Sequence, residues 1–574
     1  MCGLAGYINF VNKKINIKKV LGIMNSIKHR GPDHKNFWLS EDKNTALVNT
    51  RLAIQDLSKN GNQPFISHDK RYILVFNGEI YNFKILKNKL KEYKFTSNSD
   101  TEVLLYLFIK YGEGCLKMLD GMFSFAIYDK KKAELFCARD HFGIKPFYYF
   151  YEKNQFWFSS ELKTFFKLDL NIKKNEKSIY RYLSGEYYEH INETFYKNIF
   201  KLKPGHYIKV NKSNKKEIKY WDFLESYKSI ILPKNNFDRE NLIFDLINQS
   251  VTKSMISDVP VSIAASGGLD SSILQNIVKK KNPKIDLISF VFKNKIFSEE
   301  KYIKQISKIS GLKSKMFYVT PEIFIRNINK IVTALEEPFA GLPIAAYFLC
   351  VEKLAKTKVV LDGSGLDEAH CGYDKYNLLK FDKNKNLATS QDGSKSILNN
   401  IINQKFKKKF RNLDTFIDRP FEDNYKNLMF ADLFYIKLPR ALRFRDKLGM
   451  YNGKEIRPCF LDKNLIATLF KLKFEDHYSK GLGKFFLRKT FQNEITKKIA
   501  YAKKRNIQTP QIEWFRKNIV KWLEDFFKRA DIWDTGWVDR NQFLKNFELL
   551  KKNKLNNSYF IWQLVNLEAW NKLN

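Results

Sequence analysis

The chain has 574 residues, of which 44% are apolar and 15% aromatic, and its formal net charge is +40. This length predicts two or three domains, and the apolar and aromatic content excludes a chain that is disordered throughout. The strong positive charge favours nucleic-acid binding at first sight. The lysines are, however, spread along the whole length and mixed with asparagines, so we expect no specific nucleic-acid partner.

The apolar runs and the cysteines restrict location and metal chemistry. No apolar run approaches the ~20 residues of a membrane helix, and the first residues, MCGLAGYINF, lack the basic start and long apolar stretch of a signal peptide. We therefore expect a cytoplasmic protein without a membrane partner. The 6 cysteines contain no CxxC pair and form no ligand-spaced cluster with the 8 histidines, which argues against zinc and iron–sulfur sites.

The N-terminus places a cysteine where it could act as a nucleophile. Removal of Met1 would leave Cys2 as the first residue, and the side chain of Cys2 is small enough for that removal to be usual. The freed α-amine would have a pKa of ~8, so near neutrality part of it is unprotonated and can accept the proton of its own thiol. Cys2 would then be nucleophile and base in one residue.

Four further segments follow Cys2 in the sequence. They read HRGPD at 29–33, RLAIQD at 51–56, FNGEIYN at 76–82 and SNSDTE at 97–102. Single residues in them have plain alternatives, with Arg51 as a surface cation, 77–78 as a hairpin turn and Asp100 as a helix cap. In this order, however, the segments resemble the glutamine amidotransferase domain of the N-terminal-nucleophile type.

This resemblance implies a role for each matched residue. Cys2 would attack the side-chain amide of glutamine and release ammonia. Arg51 would bind the α-carboxylate of the substrate and Asp100 its α-ammonium. The side-chain amide of Asn77 and the backbone N–H of Gly78 would donate to the oxyanion, and the implied catalytic residues here are Cys2, Asn77 and Gly78. The implied glutamine-binding residues are Arg51, Ile54, Asn77, Gly78, Glu79 and Asp100, with Glu79 beside the ammonium.

The segments up to residue 215 alternate strands with turns, as in the paired strands expected at 121–129 and 134–140. The resemblance implies an α+β fold for 2–215, a four-layer αββα sandwich. The polar segment that follows contains a proline and loses periodicity, so we expect 216–236 to be a linker. A second domain would then occupy 237–574.

The second domain begins with alternating strands and helices. We expect strands at 286–292, 315–319 and 358–361, and helices at 298–310, from Pro321 with Thr320 as cap, and at about 343–356. Such alternation predicts an α/β doubly wound parallel sheet, whose ligands bind beyond the carboxyl ends of the strands. The segment 382–419 is rich in Lys, Asn, Ser and Gln, and we expect an insertion without chemistry there.

The segment VPVSIAASGGLDSSILQNIVKKK at 259–281 predicts a buried strand, a glycine-rich loop and a helix. Two glycines allow a tight turn, and the N–H groups at the start of the helix would face an anion. The alternative is a loop that only joins strand to helix. The run SGGLDSS resembles the pyrophosphate loop of the ATP pyrophosphatases, which implies MgATP as ligand, with Asp270 holding Mg²⁺.

A second loop, LDGSGLDE at 361–368, is similar to the segment of asparagine synthetases that faces ATP and the acceptor carboxylate. Its Asp367 would pair with Asp270 across the same Mg²⁺. The segments EIRPCFLD at 455–462 and KFFLR at 484–488 continue the resemblance, and Lys504, or Lys503 by a one-residue slip, would stabilise the charge of the adenylate and pyrophosphate. The alternative for either lysine is a solvated cation. The implied ATP-binding residues are Ala264, Ser266, Gly267, Gly268, Asp270, Ser271, Ser272, Val291, Asp362 and Gly363; the metal ligands are Asp270 and Asp367; and Lys504 is catalytic.

Ser364 departs from the pattern, because asparagine synthetases usually carry an acidic residue at this position. Either Asp362 or Glu337 could supply the missing charge. The departure weakens the argument for aspartate as the acceptor and makes another carboxylate, such as a uronic acid of a surface polysaccharide precursor, a credible alternative.

The resemblance extends from Cys2 to about Pro510 and implies a glutamine-dependent, ATP-consuming amidoligase of the asparagine synthetase family, with aspartate as the first candidate acceptor. Its partners would be glutamine, ATP and the acceptor acid. Two other hypotheses are a family member that is impaired in catalysis and kept for binding, and a basic nucleic-acid-binding protein. The aromatic residues of 531–574 are expected either to pack in the core or to make contacts in a homodimer.

Overall fold

The computed structural model describes residues 2–11, 14–168, 170–185, 189–339, 341–354, 357–380, 398–413, 417–505 and 509–573. The insertion that we expected at 382–419 lies partly outside these residues. Within its described part, the chain forms a helix at Gln404–Phe410.

Antiparallel strands dominate the first part of the chain. Their bounds are β1 (Cys2–Asn9), β2 (His34–Leu39), β3 (Thr45–Arg51), β4 (Phe65–Ile66), β5 (Tyr72–Ile80), β6 (Gly121–Asp129), β7 (Glu134–Arg139), β8 (Tyr148–Glu152), β9 (Gln155–Ser159), β10 (Ile199–Lys201), β11 (His206–Val210) and β12 (Lys215–Lys219). They form two six-stranded sheets, in the orders β10-β8-β9-β1-β3-β2 and β12-β11-β7-β6-β5-β4.

Helices cover the outer faces of these two sheets. Their bounds are α1 (Ile17–Ser26), α2 (Phe83–Lys87), α3 (Asp100–Tyr111) and α4 (Glu176–Ser184). Side chains such as Leu4 and Val75 fill the space between the sheets, while Val20 of α1 and Leu104 of α3 pack on the two outer faces. The αββα sandwich predicted from the sequence is confirmed.

The segment 216–236 is not wholly irregular. Strand β12 pairs with β11 along its whole length and ends at Lys219, so the second sheet extends four residues into the expected linker. The helix α5 (Phe223–Ser229) follows, and Phe223 is buried against Phe470 of the second half. Residues of this connection therefore pack against both halves of the molecule.

Five parallel strands form the sheet of the second half. Their bounds are β13 (Val261–Ala264), β14 (Asp286–Phe292), β15 (Ser314–Val319), β16 (Val359–Asp362) and β17 (Glu455–Pro458), and a hairpin of β18 (Tyr478–Ser479) and β19 (Leu482–Gly483) follows. The strand order β15-β14-β13-β16-β17 places β13 beside β16. The chain reverses its direction of winding between these two strands, and ligands of doubly wound sheets bind at that point.

The helices of this half surround the parallel sheet. Their bounds are α6 (Asn236–Ser254), α7 (Leu269–Lys281), α8 (Glu300–Ser310), α9 (Pro321–Leu335), α10 (Leu342–Glu352), α11 (Leu366–Ala369), α12 (Lys375–Lys380), α13 (Gln404–Phe410), α14 (Asn424–Phe434), α15 (Lys437–Tyr451), α16 (Lys463–Lys471), α17 (Phe474–His477), α18 (Phe485–Ile495), α19 (Lys497–Ala500), α20 (Gln511–Glu513), α21 (Val520–Lys528), α22 (Arg540–Lys551) and α23 (Tyr559–Asn571). Thr320 caps α9, as predicted, because its side chain accepts a hydrogen bond from Ile323 N.

The last helix, α23, is a core element. Every residue from Tyr559 to Trp570 is buried. Its Gln563 Nε2 donates to Tyr182 O (2.8 Å), and its Trp570 Nε1 donates to Tyr196 Oη (2.8 Å). Of the two roles expected for the aromatic residues of 531–574, the packing role is seen here. Among the described residues, no helix is both long and apolar enough to cross a membrane.

Candidate active sites

The structure brings the predicted nucleophile and the predicted oxyanion donor together. Cys2 begins β1, and its backbone N donates to Asn77 Oδ1 of β5 at 3.1 Å. The Cys2 thiol is buried, and this burial raises its pKa. Gln63 Nε2 lies 3.9 Å from Cys2 Sγ, and Arg30 Nε donates to Cys2 O (3.2 Å). Asn77 and Arg30 therefore hold Cys2, the predicted nucleophile, on β1 through hydrogen bonds to its backbone N and O.

Asn77 and Gly78 lie inside β5, so the alternative of a hairpin turn is wrong. A Cβ at Gly78 would stand 2.2 Å from Met122 O, so a side chain cannot fit between the paired strands there. The Asn77 Nδ2 group is buried without a hydrogen-bond partner among the described residues. A buried donor without a partner costs free energy unless a ligand accepts from it. Asn77 Nδ2 is thus suited to stabilise an oxyanion.

Another predicted glutamine-binding residue lies beside Cys2, because strands β1 and β3 pair Cys2 with Arg51. Arg51 is 5% exposed, which rules out the surface-cation alternative, and it donates to Ser58 O (2.8 Å) and Asn62 Oδ1 (2.9 Å). These contacts fix its guanidinium over the loop that follows β3. Ile54 is buried in this loop.

The last two predicted glutamine-binding residues, Glu79 and Asp100, are buried carboxylates. Asp100 is the first residue of α3, but its helix is capped by Ser99, so the capping alternative for Asp100 is wrong. Asp100 Oδ2 instead accepts from Ile80 N (2.8 Å) at the end of β5. Burial raises the pKa of Asp100 to about 6 and that of Glu79 to about 8. An ammonium group bound beside them would favour their charged forms.

A second site lies at the carboxyl edge of the parallel sheet, in a cavity of about 500 Å³ between the loops after β13 and β16. The predicted ATP and metal residues that line it are Ala264, Ser266, Gly267, Gly268, Asp270, Ser271, Asp362, Gly363, Asp367 and Lys504. Ala265 lines it as well, although the sequence did not single it out. The strand order therefore assembles most of the predicted set.

Two predicted ATP residues do not line this cavity. Successive side chains of a strand point to opposite faces, and Phe290 of β14 lines the cavity in place of the predicted Val291. Ser272 lies in the first turn of α7, where its hydroxyl donates to Gly268 O (2.8 Å) instead of facing the cavity. The roles of Val291 and Ser272 in binding ATP stay predictions.

The glycine-rich loop leaves room for an anion at the start of α7. Gly268 is the cap residue of this helix, and no side chain caps it. A Cβ at Gly267 would stand 2.6 Å from Tyr302 Cβ, so the loop cannot carry a side chain at this turn. Arg505 Nη2 donates to Gly267 O (2.7 Å) and thus places a cation at the loop. This arrangement is typical of a phosphate-binding loop.

Asp270 and Asp367 lie close together, as the predicted shared metal requires. Lys484 Nζ contacts both, at 2.5 Å from Asp270 Oδ2 and 2.5 Å from Asp367 Oδ1. Burial raises the pKa of Asp270, whereas Lys484 and Lys504 overcome the effect of burial on Asp367 and hold its pKa below the usual range. The sequence did not identify Lys484 as a site residue, although the KFFLR segment that matched the family begins with it.

The carboxylate pair fits Mg²⁺ in its chemistry. Asp270 Oδ1 is buried and has no hydrogen-bond partner among the described residues, so one oxygen remains to bind a cation. Carboxylate oxygens are the ligands that Mg²⁺ prefers, together with water and substrate phosphates. No group of three or more His, Cys, Asp or Glu side chains in the described part of the chain is arranged for a metal. A magnesium ion here would thus depend on the phosphates of ATP.

Lys503 and Lys504, the two lysines left open by the sequence, both line the cavity. Lys504 Nζ forms an ion pair with Asp367 and lies 4.8 Å from the ring centre of Tyr373. We expect Lys504→Ala to lower the rate of pyrophosphate release at least ~10-fold more than Lys503→Ala does, because a cation at the developing charge contributes more than a general positive field. Steady-state assays of the two variants with MgATP measure this, and equal losses would contradict it.

Asp362 lies beside Ser364, the residue that departs from the family pattern. Asp362 Oδ1 accepts from Ser364 N (3.0 Å) and from Arg445 Nε (2.8 Å). Glu337 does not line the cavity; its Oε1 accepts from Phe195 N (2.8 Å). Of the two proposed substitutes for the missing acidic residue, Asp362 alone lines the cavity, and its charge is shared with Arg445.

Buried ion pairs join the two halves of the molecule between the sites. Arg30 Nη1 lies 2.6 Å from Glu161 Oε1 and 2.9 Å from Asp446 Oδ2 of α15. Lys447 Nζ, from the same helix, lies 3.1 Å from Glu161 Oε2. Arg30 also donates to the carbonyl of Cys2, so the contact between the halves reaches the nucleophile.

Comparisons with known proteins cover both halves of the chain. The family model for a glutamine amidotransferase domain matches residues 1–221, and that for asparagine synthase matches residues 242–572. The glutamine-hydrolysing asparagine synthetase 1 of Bacillus subtilis is 27% identical over 621 residues, covering 100% of this chain and 97% of the relative. The putative asparagine synthetase 2 of Methanocaldococcus jannaschii is 36% identical over 409 residues, covering 65% of this chain and 76% of the relative.

Among solved structures, the glutamine phosphoribosylpyrophosphate amidotransferase of B. subtilis matches with a TM-score of 0.30 and 16% identity, covering 57% of this chain and 70% of that chain. The asparagine synthase model alone spans more than half of the sequence. The chain belongs to the asparagine synthase family, with a glutamine amidotransferase domain at its N-terminus.

Proposed function

We propose that the chain uses glutamine and ATP to convert aspartate into asparagine. In this assignment residues 2–215 release ammonia from glutamine, 216–236 connect the two halves, and 237–574 activate the acceptor. The observation that carries the proposal is the pairing of two sites in one chain: Cys2 beside Asn77, and Asp270 beside Asp367. One set suits amide hydrolysis, and the other suits the binding of a magnesium nucleotide.

The glutaminase half-reaction would begin at Cys2. Its thiol passes a proton to the α-amine that Met1 removal frees, and the sulfur attacks the amide carbon of glutamine. The oxyanion accepts from Asn77 Nδ2 and Gly78 N–H. Ammonia leaves as the C–N bond breaks, and water hydrolyses the thioester to glutamate. Arg51, Glu79 and Asp100 hold the charged groups of the substrate.

The synthetase half-reaction would join the acceptor carboxylate to the α-phosphorus of ATP and release pyrophosphate. Mg²⁺, when bound with ATP, neutralises phosphate charge. Asp270 and Asp367 would hold this ion, and Lys484 and Lys504 would lie beside the leaving pyrophosphate. Ammonia then attacks the acyl carbon and displaces AMP. Separate sites suit this chemistry, because ammonia that is protonated in bulk water is no longer a nucleophile.

The alternative acceptor is a uronic acid or another carboxylate. Two features at the carboxyl end of β16 favour this alternative. Ser364 stands where the family usually has an acidic residue, and Asp362 already forms an ion pair with Arg445. An acceptor with an α-ammonium group would meet less free negative charge here than the family pattern predicts. Neither acceptor changes the proposed roles of Cys2, Asp270 or Asp367.

Pyrophosphate release by the enzyme with MgATP and glutamine tests the acceptor directly. We expect release with aspartate, and asparagine as the product detected by mass spectrometry. If no pyrophosphate is released with aspartate but pyrophosphate is released with a free or nucleotide-linked uronic acid, the alternative acceptor replaces aspartate in the proposal. If no acceptor leads to pyrophosphate release while glutamine is still hydrolysed, both the aspartate and the uronic-acid assignments are contradicted.

A further inference from the structure

The glutamine pocket receives a side chain from the other half of the molecule. Strand β17 carries Arg457, which is fully buried, and Arg457 Nη2 lies 3.3 Å from Glu79 Oε1. Glu79 belongs to β5 of the sandwich, one residue after Gly78. A residue of the synthetase sheet thus contacts a carboxylate of the glutaminase.

The guanidinium of Arg457 is held in place from several directions. Its Nη1 donates to Ser254 O (2.9 Å) and Ile256 O (2.6 Å) at the end of α6. Its Nε donates to Glu455, a neighbour on the same strand. A planar donor fixed in this way presents its remaining N–H groups in one direction. Nη2 has no hydrogen-bond partner among the described residues and lies at ion-pair distance from Glu79.

Glu79 needs this partner because it is buried. It is 3% exposed, and among the described residues its other polar contact is the neutral amide of Gln55. Burial raises the pKa of Glu79 most, Arg457 opposes that rise, the nearby Glu455 and Asp100 add to it, and together they place the pKa at about 8. An uncompensated buried carboxylate takes up a proton instead of remaining charged. A neutral Glu79 would bind the ammonium of glutamine poorly.

The strand that carries Arg457 also borders the ATP site. In the register of β16 and β17, Arg457 pairs with Leu361 and Pro458 pairs with Asp362, which lines the nucleotide cavity. Cys459 N donates to Asp362 O (2.9 Å) just beyond the strand end. The contact to Glu79 is therefore anchored in the sheet edge on which ATP would bind.

We propose that Arg457 is a positioning residue for glutamine, which orients Glu79 and favours its charged form across the boundary between the two halves. The glutamine pocket is then complete only when the parallel sheet is docked against the sandwich. Arg457 itself touches neither reacting atom. This inference rests on the proposed glutaminase function.

The test compares Arg457→Gln with wild type in two assays of the whole enzyme. In the glutamine-driven assay we expect KM for glutamine to rise about 10- to 100-fold with a smaller change in kcat, because Glu79 loses the cation that favours its charged form. In the ammonia-driven assay we expect both parameters for ATP and acceptor to stay within ~3-fold of wild type. Arg457→Lys, which keeps the charge, should restore part of the glutamine affinity.

A double-mutant cycle with Glu79→Gln guards against a general loss of structure. If Arg457 acts through Glu79, adding Arg457→Lys to Glu79→Gln raises KM for glutamine no further, whereas independent effects multiply. The cycle also decides the question if Arg457→Gln does not fold.

Three outcomes would overturn the inference: an unchanged KM for glutamine, an equal loss of ammonia-driven turnover, or multiplying effects in the cycle. A wild-type enzyme that does not consume glutamine would instead overturn the proposed function itself. The two failures are therefore distinguishable.

Discussion

Cys2→Ala is expected to lower glutamine-driven amide formation by about 10⁴-fold or more and to leave ammonia-driven formation within ~3-fold of wild type. Loss of a catalytic nucleophile removes the covalent route entirely. The ammonia-driven reaction needs only the cavity beside β13 and β16. Parallel assays with glutamine and with an ammonium salt at the same pH measure both rates.

Retention of the ammonia-driven rate is the internal control, because a misfolded variant would lose both activities. Mass spectrometry of the wild-type chain should also show that Met1 is absent, since a retained methionine blocks the α-amine that accepts the thiol proton. Loss of both activities in a folded Cys2→Ala variant would contradict the division into two sites.

Asp270→Asn is expected to slow pyrophosphate release about 10²- to 10³-fold with either nitrogen source. The amide keeps the size of the side chain but removes the negative charge that a hard cation needs. Asp270 Oδ1 has no hydrogen-bond partner among the described residues, so the substitution breaks no hydrogen bond of that oxygen there. The loss of several kcal/mol of charge stabilisation corresponds to this change in rate.

The matched control for this variant is Asp286→Asn at the opposite, amino-terminal end of the neighbouring strand β14. Asp286 lies 3.3 Å from Lys315 at an exposed position, and exposed ion pairs contribute little. We expect wild-type rates from the control. An unchanged rate of pyrophosphate release in Asp270→Asn would contradict the metal role. A lowered rate that does not change as the Mg²⁺ concentration is raised would contradict it as well.

The sequence predicted those parts of the site that local pattern determines. The SGGLDSS loop follows a short apolar run and precedes an amphipathic helix, so its position at a strand end could be deduced without a structure. The same is true of Asp367, which follows the next strand of the switch point. These residues come together because parallel strands end at one edge of a sheet.

The remainder depends on contacts between residues distant in sequence. Phe290 of β14 lines the cavity and Val291 does not, and the sequence could not show this because a short buried strand is apolar on both faces. Asn77 and Gly78 have the composition of a turn, but pairing with β6 makes them part of a strand. The contact of Arg457 with Glu79 joins residues far apart in the sequence, and no local pattern indicates it.

The burial of α23 has a consequence for how the protein is made. Tyr182 and Tyr196, on the sandwich, have partners in Gln563 and Trp570, the latter 374 residues later. Nascent domains fold from the N-terminus as the ribosome adds residues. The surface of the sandwich around Tyr182 and Tyr196 therefore stays uncovered until residue 570 has been translated. We therefore expect the amidotransferase half to complete its folding only after α23 has emerged from the ribosome, with chaperones shielding its aromatic face until then.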